Sequence, residues 1–264
     1  MSGVAPRRRV GVVGYGAVGS VIAEGLDGGM GELSLAGVYA ASPVPDRHRV
    51  DSFGELLDRS DLVVEAASQE AVHAYGPTAV GAGRDLVVVS VGALVDPSLL
   101  AALGSGDGRL LVTTGAIGGI DQLRAASLLG GLERVSLTTR KPPRALVRPW
   151  MDADLVGRMV DGDDPTIVFD GTARDAVERF PASINVAATL SLSTIGFERV
   201  RVRLVADPSA SSVEHHIEAV GPAGTYEFRF HNVASATNPK TSAVTPYAVL
   251  RGLADLHTHT VIGF

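Results

Sequence analysis

Gly14-Tyr15-Gly16-Ala17-Val18-Gly19 stands directly behind the apolar run of residues 10–13 and ahead of a stretch with helical periodicity. A strand, a glycine turn and a helix in immediate succession open a parallel βαβ unit, which sharply limits the folds open to the chain. Gly14 permits the tight turn, Gly16 leaves the backbone open to close approach, and Gly19 lets the helix lie against the strand. The helix start that follows attracts anions, so Gly14, Gly16, Ala17, Val18 and Gly19 are candidates to hold the pyrophosphate of a dinucleotide.

Further Val/Leu-rich runs at residues 33–39, 62–65, 86–91 and 110–113 alternate with helical stretches. Such short continuous runs suit strands buried on both faces of a parallel sheet, with helices as crossovers, which predicts an α/β, doubly wound Rossmann domain. In an open sheet of this kind ligands lie at the C-terminal ends of the strands. Ala67 and Ser68 after the third run, Gly92 after the fourth and the 115–119 segment after the fifth occupy that edge. The second run ends Val38-Tyr39-Ala40-Ala41-Ser42 without the acid that usually binds an adenosine ribose. Arg47, His48 and Arg49 follow, so the cofactor is read as NAD or NADP.

Beyond Thr113 the pattern changes to a helix at 120–129, a strand at 135–139, a loop rich in Pro and Arg, helical stretches within 173–193, and alternating runs at 200–206, 213–220 and 225–233. These predict a second α+β domain with a largely antiparallel sheet. The expected division is 1–112 with a returning C-terminal helix at about 242–264, and 113–241. In the 213–220 run His215 shares the apolar face with Val213, Ile217 and Ala219, while His216 shares the charged face with Glu214 and Glu218. An inward histidine is a core group or a catalyst, and alternation alone does not choose between them. Asn238-Pro239-Lys240-Thr241-Ser242 reads as a helix start able to take a carboxylate, with Lys240, Thr241 and Ser242 as candidate ligands and Lys141 as a second basic candidate.

A net charge of −6 leaves no basic footprint for nucleic acid, and no apolar run reaches the ~20 residues of a membrane span. No cysteine is present, which rules out disulfides and thiolate metal sites; His257 and His259 lack an evident third ligand, so no metal is expected. A cytoplasmic enzyme acting on a small molecule is the expectation, with a homodimer plausible from the second domain.

Arg140-Lys141-Pro142-Pro143, Phe180-Pro181-Ala182-Ser183-Ile184-Asn185-Val186-Ala187-Ala188, Ala206-Asp207-Pro208 and Asn238-Pro239-Lys240-Thr241-Ser242 together resemble the L-aspartate dehydrogenase family across nearly the whole chain. The resemblance implies NAD(P)-dependent oxidative deamination of L-aspartate through iminoaspartate to oxaloacetate, and the reverse amination of oxaloacetate with ammonia. In some organisms the imine feeds NAD synthesis. It places the catalytic histidine on His215 and cofactor contacts on Ala116 and Asn185. The family strand commonly reads His-Glu-Ile-Glu with Asn two residues earlier, whereas here His215-His216-Ile217-Glu218 follows Val213. Another small imine or carbonyl substrate, or a dinucleotide sensor without turnover, stays open beside aspartate.

Overall fold

The computed structural model describes residues 8–181, 184–238, 241–260 and 262. The chain divides into two compact units, one running to Gly115 and resuming at Thr245, the other Ala116–Val244.

The first unit alternates strand and helix: β1 (Arg8–Val13), α1 (Gly19–Asp27), β2 (Leu33–Tyr39), α2 (Phe53–Arg59), β3 (Leu62–Glu65), α3 (Gln69–Gly81), β4 (Asp85–Val88), α4 (Pro97–Gly104) and β5 (Leu110–Val112). All strands pair in parallel in the order β2-β1-β3-β4-β5. Every residue of β3 and β4 is buried, which is why these strands are apolar runs and not alternating ones. The fourth run ends at Val88, short of the expected Val91, because the chain turns at Ser90 and enters a 3-10 turn at Val91–Val95. Helix starts carry their own caps: Ser52 accepts from Glu55 N, Ser68 from Ala71 N, and Asp96 from Ser98 N and Leu99 N.

At the opposite edge from the glycine turn, Asp85 opens β4 and gathers two strands. Its carboxylate accepts from Arg8 at 2.6 Å, from Arg109 Nη2 at 2.7 Å and from Arg109 N at 2.9 Å. Burial pushes its pKa up, but the Arg109 and Arg8 bonds outweigh that and hold it well below the carboxylate range. A depressed native pKa gives stability that is present above the unfolded value of about 4 and lost as pH falls through the native one. Asp85→Asn should therefore cost about 1–3 kcal/mol near neutral pH, less than a fully buried pair because Arg109 is largely exposed. Denaturant titrations should find that cost shrinking in acid; a constant difference down to the lowest pH would contradict the assignment.

The second unit contains α5 (Ile120–Leu128), β6 (Arg134–Lys141), α6 (Pro143–Leu146), α7 (Ala153–Val160), β7 (Thr166–Thr172), α8 (Ala173–Arg179), α9 (Asn185–Ser193), β8 (Arg201–Ala206), β9 (Val213–Gly221) and β10 (Gly224–Asn232). Its sheet runs β10-β9-β6-β8-β7. The β6–β8 pair is parallel and the other three are antiparallel. Helix α5 packs on β9 and α9 packs on α5, so β9 buries Val213, His215, Ile217 and Ala219 and turns the alternate residues outward. Helices α6 and α7 and strand β7 occupy the stretch the sequence presented as a Pro/Arg-rich loop. Asp152 caps α7, and Thr172 with Asp175 forms a capping box on α8.

The chain then returns to the first unit as α10 (Thr245–Asp255), which packs on α1. This corrects the expected helix start near Ser242. Ser242 pairs with Ala234, and Ala243 N bonds Val233 O at 2.9 Å. The segment is thus extended against the tail of β10 and offers no helix-terminal amides to an anion.

Candidate active site

The glycine turn has the geometry a pyrophosphate needs. Gly14 sits at φ +99°, and a Cβ there would lie 2.7 Å from Ala66 O. A Cβ on Gly19 would lie 2.2 Å from Gly14 O, so α1 can approach β1 only without a side chain at that position. A Cβ on Gly16 would meet nothing within 4 Å, which leaves open space beside the backbone. Unlike α2, α3 and α4, helix α1 has no side-chain cap; Val18 stands at its N-cap, and its first turn carries no acid. An anion fits that end better than any residue the chain places there. Ala17 belongs to the same turn.

A second device shapes the same edge. Glu65, the last residue of β3, is buried and accepts from Ala67 N at 2.8 Å, Ser68 N at 2.9 Å, Ser90 N at 3.0 Å and Ser90 Oγ at 2.9 Å. It ties the loop after β3 to the loop after β4, fixing Ala67, Ser68 and the turn that carries buried Gly92. Burial pushes the Glu65 carboxyl above its usual range, while the bonds from Ser90, Ala67 and Ser68 pull against that shift. The end of β2 carries an aromatic group, with Tyr39 5.6 Å from Tyr75 and 6.3 Å from Phe53 between ring centroids. Arg47 faces Asp27 at 3.5 Å and Arg49 faces Asp51 at 3.4 Å.

In the second unit, strand register gathers the remaining candidates at one end of the sheet. Lys141 ends β6 opposite Ala206, the end of β8. Val213 begins β9 opposite Asn232, the end of β10, and Thr139 pairs with His215. His215 is 3% exposed and its Nδ1 lies 3.0 Å from Thr139 Oγ1. Burial, and then the charge of Lys141, lowers the His215 pKa to about 3, so the imidazole is neutral through the physiological range. Lys141 is 4% exposed, and burial, then the Arg148 charge, brings it down to about 8. Arg140, on the opposite face, pairs with Asp207 at 2.8 Å and lies 3.7 Å from Glu214.

Ala116 is held to this end by Asn232, whose Nδ2 donates to Ala116 O at 2.8 Å. Gly119, at φ +72°, lies so close beneath Phe228 that a Cβ would come within 2.6 Å of the ring. Asn185 is the first residue of α9 and is partly exposed. Thr241 N bonds Asn238 O, and Ser242 is buried just beyond β10. Lys240 lies outside the described residues. His216, where the sequence departs from the resembled strand, faces outward with Nε2 3.0 Å from Glu227. Val213 is the departure that shares the His215 face. Thr139 and Arg148 escaped the sequence reading; the signal for Thr139 was its two-residue spacing from Lys141 on one strand.

A Rossmann sheet with an anion-ready glycine turn, followed by a domain burying an imidazole beside an amine, defines the class of two-domain NAD(P)-dependent oxidoreductases. Comparison with known proteins narrows this. The family described as "Aspartate dehydrogenase, C-terminal" matches residues 121–256, and "Homoserine dehydrogenase, NAD binding domain" matches residues 14–105. The L-aspartate dehydrogenase of Methanosarcina barkeri is 37% identical over 97% of this chain and 99% of its own. That of Ralstonia pickettii is 41% identical over 82% and 81%. The crystal structure of aspartate dehydrogenase from Thermotoga maritima superposes with a TM-score of 0.76 at 29% identity, covering 97% of this chain and 99% of that one. The chain belongs to the aspartate dehydrogenase family.

Proposed function

We propose that the chain oxidises L-aspartate to iminoaspartate with NAD or NADP, that water converts the imine to oxaloacetate and ammonia, and that the reverse amination runs at the same site. The observation that carries this reading is the buried His215–Thr139 pair with Lys141 beside it, in a chain matched along almost its whole length by L-aspartate dehydrogenases. The dinucleotide, when bound, accepts or returns the hydride at C2 of the substrate.

Gly14, Gly16, Ala17, Val18 and Gly19 take its pyrophosphate. Ala67, Ser68 and Gly92 are its further candidate contacts in the first unit, and Ala116 and Asn185 are the contacts the family resemblance assigns. His215 meets the substrate. With Nδ1 engaged by Thr139, its Nε2 bonds the group entering or leaving at C2, accepting from the attacking water as general base. Thr241 and Ser242 take the carboxylates, with Lys240 as the candidate cation and Lys141 at the substrate; a dicarboxylate needs such groups to hold C2 in place.

The test follows the absorbance of NADH or NADPH with oxaloacetate and ammonia, each component omitted in turn. Oxidation that requires both is expected, and the two rates rank the cofactors. Oxidation indifferent to ammonia would indicate a carbonyl reductase. No oxidation by a protein that binds the dinucleotide would indicate a sensor.

A further inference from the structure

Of the chain's 23 lysines and arginines only two are lysine, Lys141 and Lys240. Everywhere else a cation is wanted the chain uses arginine, including the paired Arg8, Arg109, Arg140 and Arg203. Arginine is the better carboxylate clamp, since its planar fork binds both oxygens and never loses its charge. Lysine offers what arginine cannot: an amine that can give up its proton when buried.

The surroundings of Lys141 favour that loss. It lies on the same face of β6 as Thr139, beside His215 of β9, and Arg148, after α6, adds a second positive charge. Among the described residues no carboxylate pairs with it. Asp207 gives its backbone N–H to Lys141 O, but its carboxylate is turned to Arg140 and Ser209. Glu214 and Arg140 point to the other face. A lysine meant as a permanent charge is seldom buried against two other basic groups with no acid.

We propose that Lys141 is the group that takes up and returns the proton exchanged at the substrate nitrogen, and not a fixed positive charge that clamps a carboxylate. This rests on the amine-oxidation reading above. In deamination an N–H bond of the substrate ammonium breaks, the proton passes to neutral Nζ of Lys141, and the electron pair stays on the substrate nitrogen. That pair becomes the second bond of C=N as the hydride leaves C2 for the oxidised dinucleotide. In amination Lys141 begins protonated and returns the proton to nitrogen. His215, bonded to Thr139, acts on the water that hydrates the imine and does not store this proton. Lowering the amine to about 8 places its titration where it serves both directions; at its ordinary value of about 10.4 only roughly one lysine in 250 would be neutral at that pH.

Two lysines make the titration directly observable. Protein grown on lysine labelled with carbon-13 at Cε gives two resonances, and Lys240→Arg leaves one. We expect its midpoint near 8; a midpoint above about 10 overturns the proposal. In kinetics, wild-type deamination should rise with pH through the same midpoint, and amination should fall through it. Lys141→Arg should lower kcat at least ~10²-fold, leave KM within a few-fold and abolish that limb of the profile. Added ethylamine should partly restore Lys141→Ala. Lys141→Arg with near wild-type kcat, or Lys141→Met raising KM alone, would assign the lysine to carboxylate binding. Wild-type protein without ammonia-dependent turnover sinks both readings; turnover that survives in Lys141→Arg with its pH limb intact sinks this one alone.

Discussion

His215→Ala should lower kcat by roughly 10²–10⁴-fold while changing dinucleotide affinity less than about twofold, as read by steady-state kinetics beside a binding titration. The separation follows from where the side chain sits. His215 is on the second unit's sheet, bonded to Thr139, whereas the glycine turn, the capless start of α1 and the Glu65-tied loops all belong to the first unit. His215→Asn should retain part of the activity, since an amide can still bond the Thr139 hydroxyl but cannot accept a proton from water. The profile adds a second criterion. With the imidazole pKa near 3, no limb near 6.5 belongs to His215. An activity loss in His215→Ala accompanied by disappearance of a limb near neutrality would show an imidazole that titrates there, contrary to its burial beside Lys141.

Much of this was legible before any coordinates. Two periodicities carried it. Residues 62–65 are strand throughout and buried along their whole length, as a strand covered on both faces of a parallel sheet must be, and four residues are too few for a helix long enough to serve as a crossover. His215 could be assigned inward because the two-residue repeat of Val213, Ile217 and Ala219 runs through it, and the burial of β9 follows that repeat.

The stretch from Pro142 to Thr172 hid its structure for equally physical reasons. Helix α6 is a single turn, α7 is only eight residues long, and β7 is an edge strand whose register slips between Ile167 and Phe169. With Ile167 56% exposed and Gly171 inside the strand, the apolar alternation that marks a half-buried strand is lost. Asn238 to Ser242 misled in the opposite way. A Ser/Thr pair before an apolar helix reads as a cap, but Thr241 and Ser242 are paired to Ser235 and Ala234, just past β10, and the helix waits until Thr245. What sequence could not convey at all is partnership. Nothing local says that Thr139 meets His215 across 76 residues, or that Arg148 faces Lys141.

Glu65 was a sharper clue than its position at a strand end suggested. An acid closing a strand buried on both faces must find donors or be expelled. It finds four bonds: three backbone N–H groups and the Ser90 hydroxyl. Both oxygens accept backbone N–H, so no single-oxygen acceptor reproduces the site. Glu65→Gln keeps the shape but turns amide hydrogens toward either Ser90 N or the Ala67–Ser68 amides, and should cost about 1–3 kcal/mol. Glu65→Leu strands every donor in an apolar pocket and should cost about 3–5 kcal/mol, a large part of a domain's stability. The pH dependence has the opposite sign from Asp85. Burial raises the native Glu65 pKa, so its contribution is greatest below the unfolded value of about 4.3 and diminishes as pH rises through the native one. Because the carboxylate joins the loops that carry Ala67, Ser68 and Gly92, the Gln variant should also weaken dinucleotide binding by about tenfold while leaving KM for the amino acid nearly unchanged. Thermal unfolding and calorimetric titration measure the two effects separately. A Gln variant as stable as wild type, with unaltered dinucleotide affinity, would show that the loops hold their positions without the carboxylate.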